Sequence, residues 1–196
     1  MKEYTARQIE IIEASTNRIS RFGIQNLTIK SLAEDIGLSE PALYRHFNSK
    51  NDILLGLLSY FMDEMKVRIS RLSKLEYATA GDELKAVFSS QFQVFTDKPA
   101  IVSVVFAESI FHYDDSLSNK VSELIDMMQD YVKANIRKGQ EAGHYHKILD
   151  ASTLTTIIIG SVRMTVLKWR ISGHKSNLKK EGNVVLEGIL KMIEKK

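Results

Sequence analysis

The stretch that decides the fold is TIKSLAEDIGLSEPALYRHFNSK, residues 28–50. Its spacing is typical of two short helices that cross closely at a sharp turn. Ala33 is small enough for the crossing, and Gly37 tolerates the positive φ that such a turn requires. The apolar residues suited to the inner faces of both helices are Leu32, Ile36, Leu38 and Leu43. The pattern predicts a helix-turn-helix, and taken alone it also fits a helical hairpin inside a bundle.

The second helix of this pair is short and carries polar side chains on its outer face. Ser39 is expected to cap it, and Pro41 is tolerated in its first turn. A helix of about two turns is not stable by propensity alone. Presentation of its outer face to a DNA groove would explain why the chain forms so short a helix. Phe47, by contrast, is expected to pack in the core. The side chains expected on the outer face are Ala42, Tyr44, Arg45 and His46.

Two helix starts in the same stretch suit phosphate groups. Lys50 and the N–H groups of the helix that opens near Ser49 form one such site, and Thr28 and Lys30 form the other. Helix N-termini and lysine side chains favour anions, so both places are expected to seat the protein on a DNA backbone.

Outside this stretch the sequence predicts helix throughout, with two prolines and no sustained alternation of apolar and polar residues. A capping box from Thr5 to Gln8 predicts the start of the first helix, which ends at Gly23. Helices are then expected at about 29–36, 39–47, 49–71, 82–96, 99–112, 117–142, 150–172 and 176–194. The expected fold is all-α, with about nine helices: an N-terminal three-helix helix-turn-helix domain and a larger C-terminal helical bundle.

Composition excludes several classes of protein. The chain has 196 residues, a net charge of +3 and no cysteine, which excludes disulfide scaffolds and cysteine nucleophiles and fits a reducing cytoplasm. Residues 1–50 carry seven basic and six acidic side chains, so a case for DNA binding rests on where the charges lie. The polar N-terminus predicts no signal peptide, and no apolar run approaches the roughly 20 residues of a membrane helix.

No catalytic pattern or phosphate-binding glycine loop stands out, so neither an enzyme nor a cofactor is expected. His144 and His146, with His112 and Asp114-Asp115 upstream, raise the question of a metal. Histidine ligands on one helix usually stand three or four residues apart, whereas these two stand two apart beside Gly143. Exposed loop histidines are the better interpretation, and no metal is expected.

Residues 7–57 closely resemble the N-terminal domain of TetR-family transcriptional regulators. The matching residues are Arg7, Ile11-Ile12, Ala14, Gly23, Leu27-Thr28, Ile29, Leu32-Ala33, Ile36-Gly37-Leu38-Ser39, Leu43-Tyr44-Arg45-His46-Phe47, Ser49-Lys50 and Leu54. The resemblance implies a DNA-binding domain at 1–48, an effector-binding and dimerisation domain at 49–196, and a homodimer on a palindromic operator. It also implies a usual role as repressor.

The resemblance assigns DNA contacts by position. Residues that resemble the family's phosphate contacts are Thr28, Tyr44, His46 and Lys50; positions that tend to touch bases or neighbouring phosphates are Lys30, Ser39, Glu40, Pro41, Ala42 and Arg45. Glu40 departs from the family, because many relatives carry a basic or amide residue there. Its carboxylate suits either a cytosine amine or the helix dipole. Arg18 stands at a commonly apolar position and is expected only to expose that part of the first helix.

In the C-terminal part, large apolar side chains at helical spacing predict core, and in this family the same region often encloses an effector cavity. Residues expected to line it are Phe92, Phe106, Met127, Tyr131, Arg163 and Trp169. Arg163 would pair with an anionic effector, although an internal salt bridge or a solvent-facing side chain fits its position better. The effector is expected to be small and apolar or amphipathic.

A dimer interface is predicted on the last two helices. Small or apolar residues at helical spacing would form a four-helix interface with a second copy, as the resemblance implies: Thr156, Gly160, Met164, Val185, Gly188, Ile189 and Met192. The same helices would alternatively cover only the core of their own chain. Three functions stay open: an effector-released regulator, an effector-independent architectural or co-regulatory DNA-bound protein that recruits a partner, and a helical protein whose helix-turn-helix is incidental.

Overall fold

A computed structural model describes residues 4–106 and 114–195, and within them the chain is helical. The helices are α1 (Ala6–Phe22), the 3-10 turn η1 (Ile24–Asn26), α2 (Ile29–Asp35), α3 (Glu40–Tyr44), α4 (Lys50–Leu72), α5 (Ala80–Asp97), α6 (Pro99–Val105), α7 (Asp115–Glu141), α8 (Ala151–Ile171) and α9 (Leu178–Ile193). In these residues extended pairing is limited to an isolated bridge between Tyr145 and Glu194. The all-α prediction is confirmed.

Side-chain caps start the helices of the N-terminal part where the sequence predicts them. The Thr5 hydroxyl accepts the Gln8 N–H at 3.2 Å and the Gln8 side chain accepts the Thr5 N–H at 3.0 Å, which completes a capping box. Thr28 and Ser31 form the same box at α2, and the Ser39 hydroxyl accepts an N–H of α3. These bonds satisfy N–H groups that a helix start leaves unpaired, so the starts follow from local chemistry.

The later helices also lie close to their predicted positions. α5, α7, α8 and α9 begin and end within two residues of the expected bounds. α6 begins at Pro99 as expected, whereas its expected end at residue 112 lies outside the described residues. In the part of the chain that the structure describes, no helix combines the length and the apolar character needed to cross a membrane.

The chain forms two compact units. The first contains residues up to Lys66 together with Lys98–Glu123, and the second contains Val67–Asp97 and the residues from Leu124 onward. In the first unit α1 packs against α2, η1 and α6. The predicted division after residue 48 concerns function and stays a prediction.

In the second unit α9 packs against α5 and α8. The crossing of α5 and α9 is close, since a Cβ atom added to Gly182 would clash with the ring of Phe92. Phe92 is fully buried there. Tyr145 is also fully buried, with its ring against Gly139 of α7, although the loop that carries it is polar. Glycines at these points let aromatic rings approach a helix backbone.

Candidate nucleic-acid interface

The turn between α2 and α3 has the geometry that the sequence predicts. Ala33 is 2% exposed, and its carbonyl oxygen accepts the Leu38 N–H at 2.9 Å. Gly37 has a φ of +64°, a conformation that side chains with a Cβ atom rarely adopt. The turn therefore fixes the direction of α3 with backbone hydrogen bonds and a residue suited to the left-handed region.

The inner face of α3 is anchored in the core of the first unit. Leu43 is fully buried, and Phe47, just after α3, is 2% exposed. The Phe47 ring lies against Gly56 of α4, where an added Cβ atom would be 3.0 Å from it. The expectation that Phe47 packs in the core is confirmed, whereas the role of Gly56 in admitting the ring was not predicted.

The outer face of α3 is open to solvent. Tyr44 is 48% exposed, which is unusual for a large aromatic side chain in a folded chain. Ala42 and His46 are half-buried, and the His46 carbonyl oxygen accepts a hydrogen bond from the Gln8 side chain at 3.3 Å. The other predicted contact residues on or beside α3 are exposed: Ser39, Glu40, Pro41 and Arg45.

The two predicted phosphate positions differ in their surroundings. Thr28 and Lys30 are exposed at the start of α2. Lys50 is half-buried, and its amine donates a hydrogen bond to the Ile24 carbonyl oxygen at 2.9 Å, while burial lowers the pKa of this amine. An ammonium group has three N–H donors, so Lys50 ties α4 to η1 and keeps donors for a phosphate.

Arg18 does more than expose part of α1, and the expectation that it does only this is wrong. Its guanidinium group donates to the Asn26 and Ser31 carbonyl oxygens at 3.1 and 3.2 Å, and it pairs with the Asp35 carboxylate at 2.7 Å. Arg18 therefore connects α1 to η1 and to both ends of α2. Hydrogen bonds and an ion pair therefore hold this part of α1, at the position where the resemblance leads one to expect an apolar side chain.

The residues predicted to line an effector pocket have different degrees of burial. Phe92 and Trp169 are buried, and the Trp169 indole N–H donates to the Ser176 carbonyl oxygen at 3.1 Å. Met127 and Tyr131 are half-buried, and Arg163 is exposed, which does not favour a place in an enclosed pocket. Phe106 is half-buried in the first unit, and the other five belong to the second.

The residues predicted for a dimer interface are mostly exposed. Met164 is 56% and Met192 72% exposed, and an added Cβ atom at Gly160 or Gly188 would meet nothing within 4 Å. Ile189 is buried inside its own chain. Thr156 is exposed and Val185 is half-buried.

Of the two loop histidines predicted to be exposed, His144 is exposed, while Tyr145 beside it is fully buried. His146 is half-buried, and its N–H donates to the Ile193 carbonyl oxygen at 2.8 Å. His112 lies outside the described residues. Within residues 4–106 and 114–195, no group of three or more histidine or carboxylate side chains is placed to hold a metal ion.

Two protein-family models match consecutive parts of the chain. "Bacterial regulatory proteins, tetR family" matches residues 11–57, and "YsiA-like protein, C-terminal region" matches residues 57–192, more than half of the chain. The "Fatty acid metabolism regulator protein" of Bacillus subtilis is 25% identical over 196 residues, the whole of both chains. The "Nucleoid occlusion factor SlmA" of Photobacterium profundum is 26% identical over 172 residues, 87% of each chain.

Solved structures share the fold. The fatty acid degradation regulator FadR from Bacillus halodurans superposes with a TM-score of 0.84 at 20% identity, over 96% of this chain and 97% of that one. FadR from Bacillus subtilis in complex with stearoyl-CoA gives 0.75 at 24% identity, over 93% and 97%. The Bacillus subtilis relative and the two FadR proteins are described as regulators.

Proposed function

Since this chain belongs to the TetR family of DNA-binding transcriptional regulators, we propose that it represses transcription as a homodimer on an inverted-repeat operator and is released by an amphipathic effector. The effector would bind in the part of the chain after residue 48. Binding to a chromosomal operator would occur in the cytoplasm.

The observation that carries the proposal is the exposed outer face of α3. Its inner side chains Leu43 and Phe47 are buried, while Tyr44 and Arg45 point outward from a turn held by Ala33 and Gly37. A short helix with a fixed inner face and a polar outer face suits the major groove, where Arg and Tyr contact bases and phosphates.

Two copies are needed because one short helix contacts only a few base pairs. Dimeric helix-turn-helix proteins place their two recognition helices in successive major grooves, about 34 Å apart on one face of the DNA. The exposed apolar side chains of α8 and α9 supply a surface for pairing: Ile157, Met164, Val184 and Met192. An apolar surface of this kind is stabilised when a second copy covers it.

The effector is proposed to be a long-chain acyl thioester. FadR from Bacillus subtilis, which shares this fold, is in complex with stearoyl-CoA, and the Bacillus subtilis relative found by sequence is named a fatty acid metabolism regulator. Such a molecule combines an apolar chain with a polar end, which matches the amphipathic effector expected from the sequence. If the acyl thioester binds more tightly to a conformation of the dimer that does not fit the operator, it lowers the fraction of operator DNA that is occupied.

Selection of DNA from a random pool tests this function directly. The selected sequences are expected to contain an inverted repeat, and affinity for it is expected to fall steeply with salt, because each phosphate contact releases counterions. Stearoyl-CoA added to the complex is expected to release the DNA. Equal affinity for random DNA, or affinity that does not change with salt, would contradict operator binding.

Charge placed on the proposed dimer surface is expected to separate the subunits. Met164→Lys combined with Met192→Lys would bury unpaired ammonium groups in each interface, which costs several kcal/mol. Sedimentation equilibrium is expected to show a dimer dissociation constant at least about 100-fold larger. Ile148→Lys is the matched control, since Ile148 is 85% exposed and lies outside α8 and α9. A dimer of unchanged stability would place the interface elsewhere.

The effector-independent function has one observation in its favour, namely the likeness to a nucleoid occlusion factor. The release experiment separates the two functions. An architectural or co-regulatory protein would bind the selected DNA equally with and without an acyl thioester, whereas the proposed regulator would not.

A further inference from the structure

A buried carboxylate lies in the second unit, in a part that the DNA-binding function does not use. Glu83 of α5 is 8% exposed, and its Oε1 accepts the Tyr131 hydroxyl at 2.8 Å. Its Oε2 lies 3.7 Å from the amine of Lys138, whose side chain is 74% exposed. Burial and the Glu83 carboxylate raise the pKa of Tyr131, so this hydroxyl stays protonated and keeps donating.

A buried polar side chain without a partner, Asn135, lies on α7 between Tyr131 and Lys138, the two residues that reach this carboxylate. Asn135 follows Tyr131 by one turn on α7 and is 5% exposed, yet neither its Oδ1 nor its Nδ2 has a hydrogen-bond partner among the described residues. The same holds for the hydroxyl groups of Tyr77 and Tyr145. Folded proteins pair nearly all buried polar atoms, because an unpaired one has lost its hydration without compensation.

Tyr131, Asn135 and Gly139 follow one another at single turns along one face of α7. The Tyr145 ring lies against Gly139, one turn beyond Asn135 on α7. Burial raises the pKa of Tyr145 most, followed by the negative charges of Glu194, Asp82 and Glu83. We call Glu83, Tyr131, Asn135 and Tyr145 the polar cluster.

We propose that the polar cluster binds a neutral hydrogen-bonding group of the effector, namely an amide, and discriminates against a carboxylate. Asn135 offers one donor group and one acceptor, which is what an amide complements. Glu83 places a negative charge beside this position, and burial strengthens its repulsion of a second anion. The Glu83 carboxylate already accepts a hydrogen bond from Tyr131 and lies near the Lys138 amine, so its charge does not require a cationic ligand.

This inference rests on the proposed acyl-thioester effector and makes it more specific. The pantetheine arm of a CoA thioester carries amides beside the acyl chain, whereas a free fatty acid ends in a carboxylate. The polar cluster would therefore distinguish an activated acyl group from the free acid of the same length.

The test compares three probes below their micelle concentrations: stearoyl-CoA, the stearoyl thioester of N-acetylcysteamine, and stearate. The cysteamine thioester retains an amide and lacks the phosphates of CoA, so it isolates the amide from the charges. Both thioesters are expected to bind the wild-type protein at least about tenfold more tightly than stearate in fluorescence titration.

Asn135→Leu is expected to weaken binding of both thioesters by about tenfold. It is expected to leave the urea midpoint of the ligand-free protein unchanged or higher, because no hydrogen bond within the described residues is lost. Asn119→Leu, on the exposed side of the same helix, is the matched control and should change neither property. Asn135→Ala serves the same purpose if the larger leucine prevents folding.

The outcomes separate this inference from the function it rests on. If thioesters bind wild type and both Asn135 variants equally, or if stearate binds as tightly as they do, the polar cluster does not recognise an amide, while the acyl effector stands. If neither thioester binds the wild-type protein, the proposed effector is wrong and this inference fails with it. A lower urea midpoint with unchanged affinity would make Asn135 a structural residue only.

Discussion

Alanine at both Tyr44 and Arg45 is expected to weaken binding to the selected inverted repeat by at least about 100-fold. A specific contact from such a side chain contributes about 1–3 kcal/mol, and a dimer would lose each contact twice. Both side chains are exposed, so the free energy of unfolding should change little. Fluorescence anisotropy at one fixed salt concentration measures the affinity, and urea unfolding checks the fold.

Arg71→Ala is the control for this double variant. Arg71 is exposed in the last turn of α4, so its removal changes the net charge without touching α3. If the double variant keeps its affinity for the operator, the helix-turn-helix is incidental, and the third function considered from the sequence becomes the better one.

The second large effect is on stability. Phe47→Ala is expected to lower the free energy of unfolding by about 3–5 kcal/mol, the usual cost of removing a buried phenylalanine side chain. The ring is 2% exposed and fills the space beside Gly56. Since a small domain is stable by only about 5–15 kcal/mol, DNA binding should be lost as well.

Phe47→Leu retains most of the apolar volume and is expected to cost less than half as much. Urea unfolding followed by circular dichroism measures both variants. A loss below about 1 kcal/mol for the alanine variant would show that the anchor of α3 lies elsewhere. The pair Tyr44 and Phe47 thus separates contact with DNA from support of the helix that makes it.

The N-terminal helices could be predicted because local chemistry determines them. Thr28 and Ser39 cap helices with their own side chains, and Gly37 supplies a backbone conformation that its neighbours cannot adopt easily. Such information lies within four residues of the feature it determines. The DNA-contacting roles rest on the family resemblance and on exposure, and they stay predictions.

The hydrogen bonds that join the helices could not be predicted. Arg18 and Lys50 donate to backbone carbonyl oxygens 8 to 26 residues away. Every residue has such an oxygen, so the sequence does not show which one accepts. The position of Arg18 suggested only an exposed helix face.

In the C-terminal part the sequence indicated which side chains are apolar but not which polar ones are buried. Tyr145, between two histidines in a loop, had the surroundings of an exposed residue, yet a glycine of α7 gives its ring a buried place. Glu83 carries no local signal of burial either, because its partner Tyr131 is 48 residues away. Polar clusters of this kind depend on tertiary packing, which spacing alone does not reveal.

The pairing of Arg18 with Asp35 bears on how a salt titration would be interpreted. Their side chains retain 18% and 38% of their exposure, and the guanidinium group has carbonyl acceptors that carry no net charge. Mobile ions screen a partly covered pair less than a fully hydrated one. The packing of α1, η1 and α2 should therefore persist at ionic strengths that dissociate the operator complex. The slope of the salt titration would then report the number of neutralised phosphates and not denaturation of the protein.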